Sequence, residues 1–536
     1  MIAHFRPLLF TFIALILGIY VGYTFFYVSK VIFYLSLIVC FVLVNLLIVS
    51  LCTHKNKVFD YIHRRKKAII CCVTFFVLGA TTFNVMYYTY QPECKLTEYQ
   101  TYYVVGTVKT NYSHIVTDDY DRIRFLVKDA TVLVGDESVK LRKNLYVSVN
   151  VTNFEESSLY NLSVNDDIVL QGKFHFTPVF DDYLYEYAYK NNFEYSVYAS
   201  DDDVVLYNKV PVGLDAVRER VHDVLYQNMT PKYASLAYSV LIGDRSGLDD
   251  ELSDNLKVTG LAHIVAVSGL HVGFLVVLIL LLCKLCRIKK GWVQFLLTAG
   301  VLIFYCLLCN MTPSVTRASI MAIVLMSAKA FRKQNDSLSS ISLAGIIILC
   351  MHPLYVFDIS FQLSFGAVFA IILFVPLFRA CYKKLQRKKL IAKAFDTLNL
   401  SLSAQIGTLP FIMKSFHYVS SFSLLVNIFI VPLFGFVYMF LFVSTLIGCI
   451  IPLFGGVLYV PELCFVAIDY ITSFVASIPY STIAVGVVVP MVIFLWFGSL
   501  FSISDKCLLN KRKKYVFSGS LIYSLVLTTI FGLVLL

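Results

Sequence analysis

Residues 241–283 read LIGDRSGLDDELSDNLKVTGLAHIVAVSGLHVGFLVVLILLLC, and the pattern changes character part-way along. Up to Gly260 it is that of a short polar helix. Ser246 can cap it, Asp249, Asp250 and Glu251 fall in the first turn where they complement the helix dipole, Lys257 lies near the end and Gly260 terminates it. From Ala262 the chain turns apolar for about 20 residues, the length a helix needs to cross a roughly 30 Å hydrocarbon core. Inside that run stand His263, Ser268 and His271, polar groups that are costly in hydrocarbon unless they face protein or water. Gly269 and Gly273 let the backbone bend or pack closely beside them. The stretch is therefore a membrane span with polar chemistry built into it.

Working outward, similar apolar stretches recur at 8–28, 31–52, 68–90, 291–309, 313–331, 338–351, 360–378, 396–413, 420–450, 455–475, 482–503 and 516–535. They predict a polytopic α-helical membrane protein with roughly 11–13 membrane segments, thirteen if each stretch counts once. Composition agrees: 58% of residues are hydrophobic and 15% charged, with a mean hydropathy of +0.75, against about 25% charge in soluble domains. Residues 338–351 are short for a span. Residues 420–450 are long and interrupted by Asn427 and Pro432, which predicts re-entrant or broken helices lining a cavity.

Charge sets the orientation. The loop His54 to Lys67 carries Lys55, Lys57, Arg64, Arg65, Lys66 and Lys67, and basic loops face the cytoplasm. The basic clusters Lys284/Arg287/Lys289/Lys290, Lys329/Arg332/Lys333, Arg379 to Lys393 and Lys506/Lys511/Arg512/Lys513/Lys514 then fall on the same side, and the C-terminus lies outside. The first apolar stretch is followed at once by a second and has no small-residue cleavage site, so it reads as a retained anchor. Residues 1–92 form a three-helix membrane anchor in this reading.

Residues 93–209 must then be extracytoplasmic. Between 91 and 209 there are 11 Lys/Arg against 19 Asp/Glu, a net of −8, which leaves +19 for the rest of a chain whose net charge is +11. The pattern there switches to short alternating runs at Tyr102 to Lys109, Arg122 to Val127, Leu145 to Val151, Ile168 to Phe176 and Tyr195 to Ser200, separated by Asp-rich turns at Asp118-Asp119 and Asp166-Asp167. Four to six strands in about 100 residues suit an inserted OB-like β-barrel. Its aromatics, among them Tyr102, Tyr103, Phe125, Phe174, Phe176 and the run Tyr183, Tyr185, Tyr187, Tyr189, are strand formers and core in one reading and base-stacking groups in the other. The acidic balance favours the first, since nucleic-acid affinity rests on cations meeting phosphate. Residues 210–258 follow as interfacial amphipathic helices, with Val217, Val221, Val224 and Leu225 on one face.

Most of the 14 cysteines lie in apolar stretches, where they behave as small hydrophobes. Cys283, Cys286, Cys306 and Cys309 come close to zinc-ribbon spacing, but the residues between the pairs read as a span that sets them near opposite faces of the bilayer. No metal and no other cofactor is expected. No G-x-x-x-x-G-K-[ST] motif is present, so energy for any transport has to come from elsewhere.

The elements GDRSGL (243–248), TGLAH (259–263) and SGLH (268–271) together resemble the signature of the ComEC family of competence DNA-uptake channels. The likeness continues through Thr312-Pro313-Ser314 with Arg317; Pro353 and Asp358 before Phe361-Gln362-Leu363-Ser364-Phe365; Ala404-Gln405 with Thr408 and Pro410; and Asn427 with Pro432. The resemblance implies that residues 259–536 are a competence-type channel domain conducting single-stranded DNA across the cytoplasmic (inner) membrane during natural transformation. It also implies membrane lipid, a DNA-receptor protein outside and a cytoplasmic helicase or translocase as partners, with a homo-oligomer open. The chain shows no metallo-β-lactamase-like segment before Leu536, so nuclease activity is assigned to a separate protein and the chain itself is read as no enzyme.

The candidate DNA-path residues are Asp244, Arg245, Lys257, His263, Ser268, Gly269, His271, Arg317, Asp358, Gln362, Ser364, Gln405 and Asn427. A strand needs mildly cationic walls at the mouth, which Arg245, Lys257 and Arg317 offer, and neutral hydrogen-bonding groups deeper in. Arg317 either serves the mouth, snorkels, or pairs with Asp358. Each neutral group has a rival role in holding helices together. Two other functions compete: a small-solute or polysaccharide transporter, disfavoured by the inserted barrel, and an intramembrane hydrolase built from Ser268, His271 and Asp244 or Asp358, disfavoured by the lack of a nucleophile elbow.

Overall fold

The computed structural model describes residues 7–28, 71–81, 213–331 (less Ser246 and Ala266), 336–381 and 389–484, most of 96–207, and a few isolated positions elsewhere. The candidate spans at 31–52 and 516–535, most of 482–503, and the aromatic run 183–189 except for one residue lie outside the described residues. Contacts divide the chain into two compact units, one of Met1–Thr81, Val221–Gly243 and Leu248–Leu536, the other of Thr82–Arg220 with Asp244–Gly247.

The second unit is a β-barrel. Its strands are β1 (Thr101–Val108), β2 (Ser113–Val116), β3 (Asp121–Val134), β4 (Glu137–Lys140), β5 (Asn144–Val151), β6 (Asp167–Phe176), β7 (Phe193–Ser200) and β8 (Val204–Tyr207). Five of them close on themselves in the order β1-β3-β5-β7-β6 and back to β1, antiparallel except for the parallel pair β5–β7. That closed five-stranded ring is OB-like, and β2, β4 and β8 extend its rim. Alternation drives it: Tyr102, Val104 and Val108 of β1 point inward to meet Ile123 and Phe125 of β3, Val147 and Val149 of β5, and Phe174 of β6. Tyr102, Phe125 and Phe174 are thus core, whereas Tyr103 is exposed on the outer face. Asp166-Asp167 is not a turn. Asp167 opens β6, paired with Thr107 of β1 and bonded to its hydroxyl at 2.7 Å, because a strand-end carboxylate finds a donor there more readily than in solvent.

The first unit is helical. Two N-terminal helices, α1 (Pro7–Val28) and α2 (Cys71–Thr81), approach so closely that a Cβ on Gly18 would lie 2.1 Å from the Phe76 carbonyl oxygen, and one on Gly79 2.6 Å from that of Leu15. Small residues permit this backbone contact, which is the usual adhesive between apolar helices. Then come α3 (Leu214–Asn228), α4 (Pro231–Ile242), α5 (Asp250–Val258), α6 (Ala262–Val265), α7 (Gly269–Leu285), α8 (Gly291–Leu308), α9 (Pro313–Ala330), α10 (Ser337–Met351), α11 (Ile359–Cys381), α12 (Lys389–Phe416), α13 (Ser423–Ile450) and α14 (Tyr459–Ala476). A small hairpin-like pair, β9 (Tyr418–Ser420) and β10 (Thr482–Ala484), joins the turn before α13 to the segment after α14.

Among the described residues four helical segments are long and apolar enough to cross a membrane: Gly291–Leu308, Ile359–Arg379, Ser423–Ile450 and Pro452–Ala476. Five more, including α7, α9 and α10, are apolar but shorter. This is a membrane protein with an inserted OB-like barrel. The interruption expected in 420–450 is absent, because α13 runs unbroken for 28 residues with Pro432 inside it. A proline removes a single ladder bond, and packing of a long apolar helix outweighs that loss. The apolar face of α3 packs on protein: Val221, Val224 and Leu225 are buried, and Val224 abuts Gly448 of α13.

Candidate functional site

The segment around SGLH is a set of helix ends. Asp249, not Ser246, caps α5, its carboxylate accepting from the Leu252 amide at 2.8 Å; Ser246 itself lies outside the described residues. The polar run reads equally well from either residue, and the helix begins one turn later than the earlier cap implies. At the other end Gly260 has a φ of +78°, and the Leu261 amide reaches back to the Leu256 carbonyl, closing the helix in a left-handed turn. A Cβ on Gly260 would lie 2.4 Å from the Ser423 Cβ of α13, so the turn also needs glycine for room.

Ser268 caps α7. Its hydroxyl accepts from the Leu270 amide, and His271 answers by accepting the Ser268 amide at Nδ1, 3.0 Å away, which assigns the neutral ring's proton to Nε2. His271 is fully buried, edge-on to Phe434 and Tyr438 of α13, with the Ile264 carbonyl and His263 as its polar neighbours. Beyond it the Tyr438 hydroxyl donates to Tyr305 of α8, and Tyr305 donates to the Leu241 carbonyl at the end of α4. Among the described residues no carboxylate is hydrogen-bonded to the His271 ring, and the pair Ser268 and His271 forms a helix cap.

Arg317 lies one turn into α9 and is 1% exposed. It does not snorkel. Its Nη2 donates to Ser314 on its own helix and to Ser360 at the start of α11, while the Ser360 amide donates to Asp358 at 2.7 Å. Arg317 and Asp358 therefore meet through Ser360, within electrostatic reach of one another and of Tyr355. Nε and Nη1 of Arg317 and the Thr312 hydroxyl are buried without a hydrogen-bond partner among the described residues. Gln362 donates to the Val356 carbonyl at 2.9 Å, holding the turn that carries Asp358. Ser364 is half-buried one turn into α11. Gly269, exposed at the end of α7, faces Ala318 of α9, which brings the two helix ends side by side.

A third group surrounds the start of α13. Gln405 of α12 donates to the Ser423 hydroxyl, beside Gly260, and His263 Nδ1 lies 3.2 Å from the Gly260 carbonyl oxygen. Asn427, one turn on, keeps a buried Oδ1 with no donor. Lys257 is exposed and bound to Asp254 at 2.7 Å. Asp244 is half-buried and Arg245 exposed, and both group by contact with the barrel unit. The structure thus brings Ser268, Gly269 and His271 together at the start of α7, and Arg317, Asp358 and Gln362 together at the starts of α9 and α11, the two sets adjoining where Gly269 faces Ala318; His263, Gln405 and Asn427 lie separately around Gly260 and Ser423. Cys283 and Cys286 close α7, and Cys306 and Cys309 lie at the far end of α8; among the described residues no group of three or more His, Cys, Asp or Glu is placed to hold a metal.

One polar network escapes the motif reading. Glu462 on α14, 7% exposed, accepts both the amide and the hydroxyl of Thr230 at the cap of α4. Seven residues on, Asp469 accepts from Lys232 at 2.9 Å and from the Tyr233 hydroxyl at 3.1 Å, and Asp249 stands 3.8 Å from the same ammonium. The signal was two acids two turns apart in an apolar helix, facing one side.

Residues 240–504 match the family described as Competence protein. Over those residues the chain belongs to the competence-protein family. Among curated relatives, ComE operon protein 3 of Bacillus subtilis is 29% identical over 219 residues, which covers 40% of this chain and 27% of that one. Recombination protein 2 of Haemophilus influenzae is 23% identical over 227 residues, 41% of this chain and 29% of the relative. An uncharacterized protein of Aquifex aeolicus is 29% identical over 223 residues, 40% of this chain and 50% of its own. The matched region thus spans half or less of the length of these relatives. No solved structure matches the chain.

Proposed function

We propose that this protein conducts one strand of DNA across the cytoplasmic membrane during natural transformation. The observation that carries the reading is that the competence-family region coincides with the helices whose ends gather Ser268, His271, Arg317, Asp358 and Gln362. Polar and charged groups kept inside an apolar bundle mark a substrate path more often than they mark stability. A phosphodiester strand suits them, since neutral donors and one guanidinium can exchange with successive phosphates without trapping any. In this reading the barrel and the C-terminus face outward, a receptor delivers DNA from outside, a cytoplasmic helicase or translocase pulls the strand in, and a separate protein degrades its complement. The chain itself performs no chemistry on DNA.

The test is deletion of the gene in its host, followed by a transformation assay that separates DNA bound at the surface from DNA inside. The expected result is normal surface binding with internalisation lost. Unchanged internalisation, with loss of a small solute or polysaccharide from the transport inventory, would replace this reading by that of a transporter.

A further inference from the structure

Arg317 carries five N–H donors, and its two hydrogen bonds, both from Nη2, leave Nε and Nη1 unmet at 1% exposure. An unmet buried donor is costly, and more so on a charged group. Among the described residues no group accepts from these nitrogens, and Asp358 reaches Arg317 as an electrostatic neighbour, joined to it through Ser360. The guanidinium folds back over the first turn of α9, whose entry holds Pro313 at the first helical position and the partnerless Thr312 hydroxyl. The positive end of an 18-residue helix dipole, an under-bonded planar fork and a ring of hydroxyls form a receptor for a tetrahedral oxyanion.

We propose that Arg317, with Ser314, Ser360 and the entry of α9, is a transient station for one backbone phosphate of the passing strand, weakened on purpose by Asp358. The proposal rests on the DNA-conducting reading. A lone buried guanidinium would bind phosphate too firmly for the strand to move on. Asp358 supplies a competing counter-charge through Ser360, so each phosphate is gained and released against a carboxylate that is always present.

The experiment uses the full-length protein in a zwitterionic detergent, with inorganic phosphate and a thymidine decanucleotide as probes and thermal stability as readout. Both probes should stabilise the parent protein, and Arg317→Gln should abolish the response. Because Arg317→Gln can fail to fold, Asp358→Asn is the second variant. It should bind both probes more tightly by on the order of tenfold, the effect of one neighbouring charge, and should internalise DNA more slowly in cells at equal protein level. Anionic phospholipid added as a third probe must compete with the oligonucleotide less well than phosphate does; tighter lipid binding makes the site a headgroup site and overturns the proposal. It is likewise overturned if neither probe stabilises the protein, which leaves the orphan nitrogens to water, or if Asp358→Asn changes neither affinity nor passage. Arg317-dependent phosphate binding in a protein that transports no DNA would refute the channel reading instead.

Discussion

At the scale of single residues, two positions carry geometry that no other side chain reproduces. Gly260 combines a φ of +78° with a Cβ position 2.4 Å from Ser423. Gly260→Ala should lower the stability of the detergent-solubilised protein by about 1–2 kcal/mol for the left-handed backbone alone and further for the clash, and Ser423→Gly should restore the second part only. A melt of the two single variants and the double variant checks this. His271 is buried between α7 and α13 and completes the Ser268 cap. Ser268→Ala should cost about 1 kcal/mol, as a lost cap does. His271→Ala also opens a cavity against Tyr438, and under the path reading DNA internalisation should fall well below what the loss of folded protein accounts for; a fall of both in the same proportion would move His271 from the path to packing.

At the scale of elements, helix pairing rests on small residues and on a few polar ties. The α1–α2 contact sets Thr11 Oγ1 3.8 Å from Cys72 Sγ. Thr11→Cys should therefore oxidise to an internal disulfide with Cys72, detected as a mobility shift reversed by reductant, and Gly18→Leu in the same chain should abolish it by separating the helices. The α4–α14 tie has a pH signature. The hydrogen bond that Lys232 donates to Asp469, with help from the Coulombic pull of Asp469 and Asp249, raises the Lys232 pKa above its ordinary 10.5. A raised lysine pKa stabilises the fold fully below the unfolded value and loses that contribution as pH rises through the folded one. The parent should thus lose thermal stability more steeply than Lys232→Met above about pH 10, with parallel curves at neutral pH. Screening by solvent at this half-exposed lysine keeps the difference small.

At the scale of the whole molecule, the basic loops predict an orientation that reporters can test. Fusions after Pro92 and after Leu536 should report an extracytoplasmic location and one after Lys389 a cytoplasmic one. A cytoplasmic C-terminus would show that one stretch does not cross, and α10, with 15 residues, is the first to suspect. The purified chain should also show no nuclease activity in the presence of magnesium, manganese or zinc; a robust activity abolished by a chelator would make it an enzyme.

The amino-acid sequence by itself determined the membrane character, the inserted barrel and the motif positions, because hydropathy over about 20 residues and period-2 alternation are local properties. The inward residues of β1, β3, β5 and β6 could be read off their alternation, and the cap at Asp249 was legible to within one turn. Tertiary structure alone decided which residues meet. Arg317 and Ser360 are 43 residues apart in the chain, Gln405 and Ser423 are 18, Tyr305 and Tyr438 are 133, and Thr230 and Glu462 are 232. Nor could the sequence tell the buried Phe434 from the exposed Phe429 and Phe436 of the same helix. In a soluble helix the polar face marks the outside. In a membrane helix lipid and protein are both apolar, so rotation about the helix axis is set by where neighbouring helices place small residues, caps and lone polar groups.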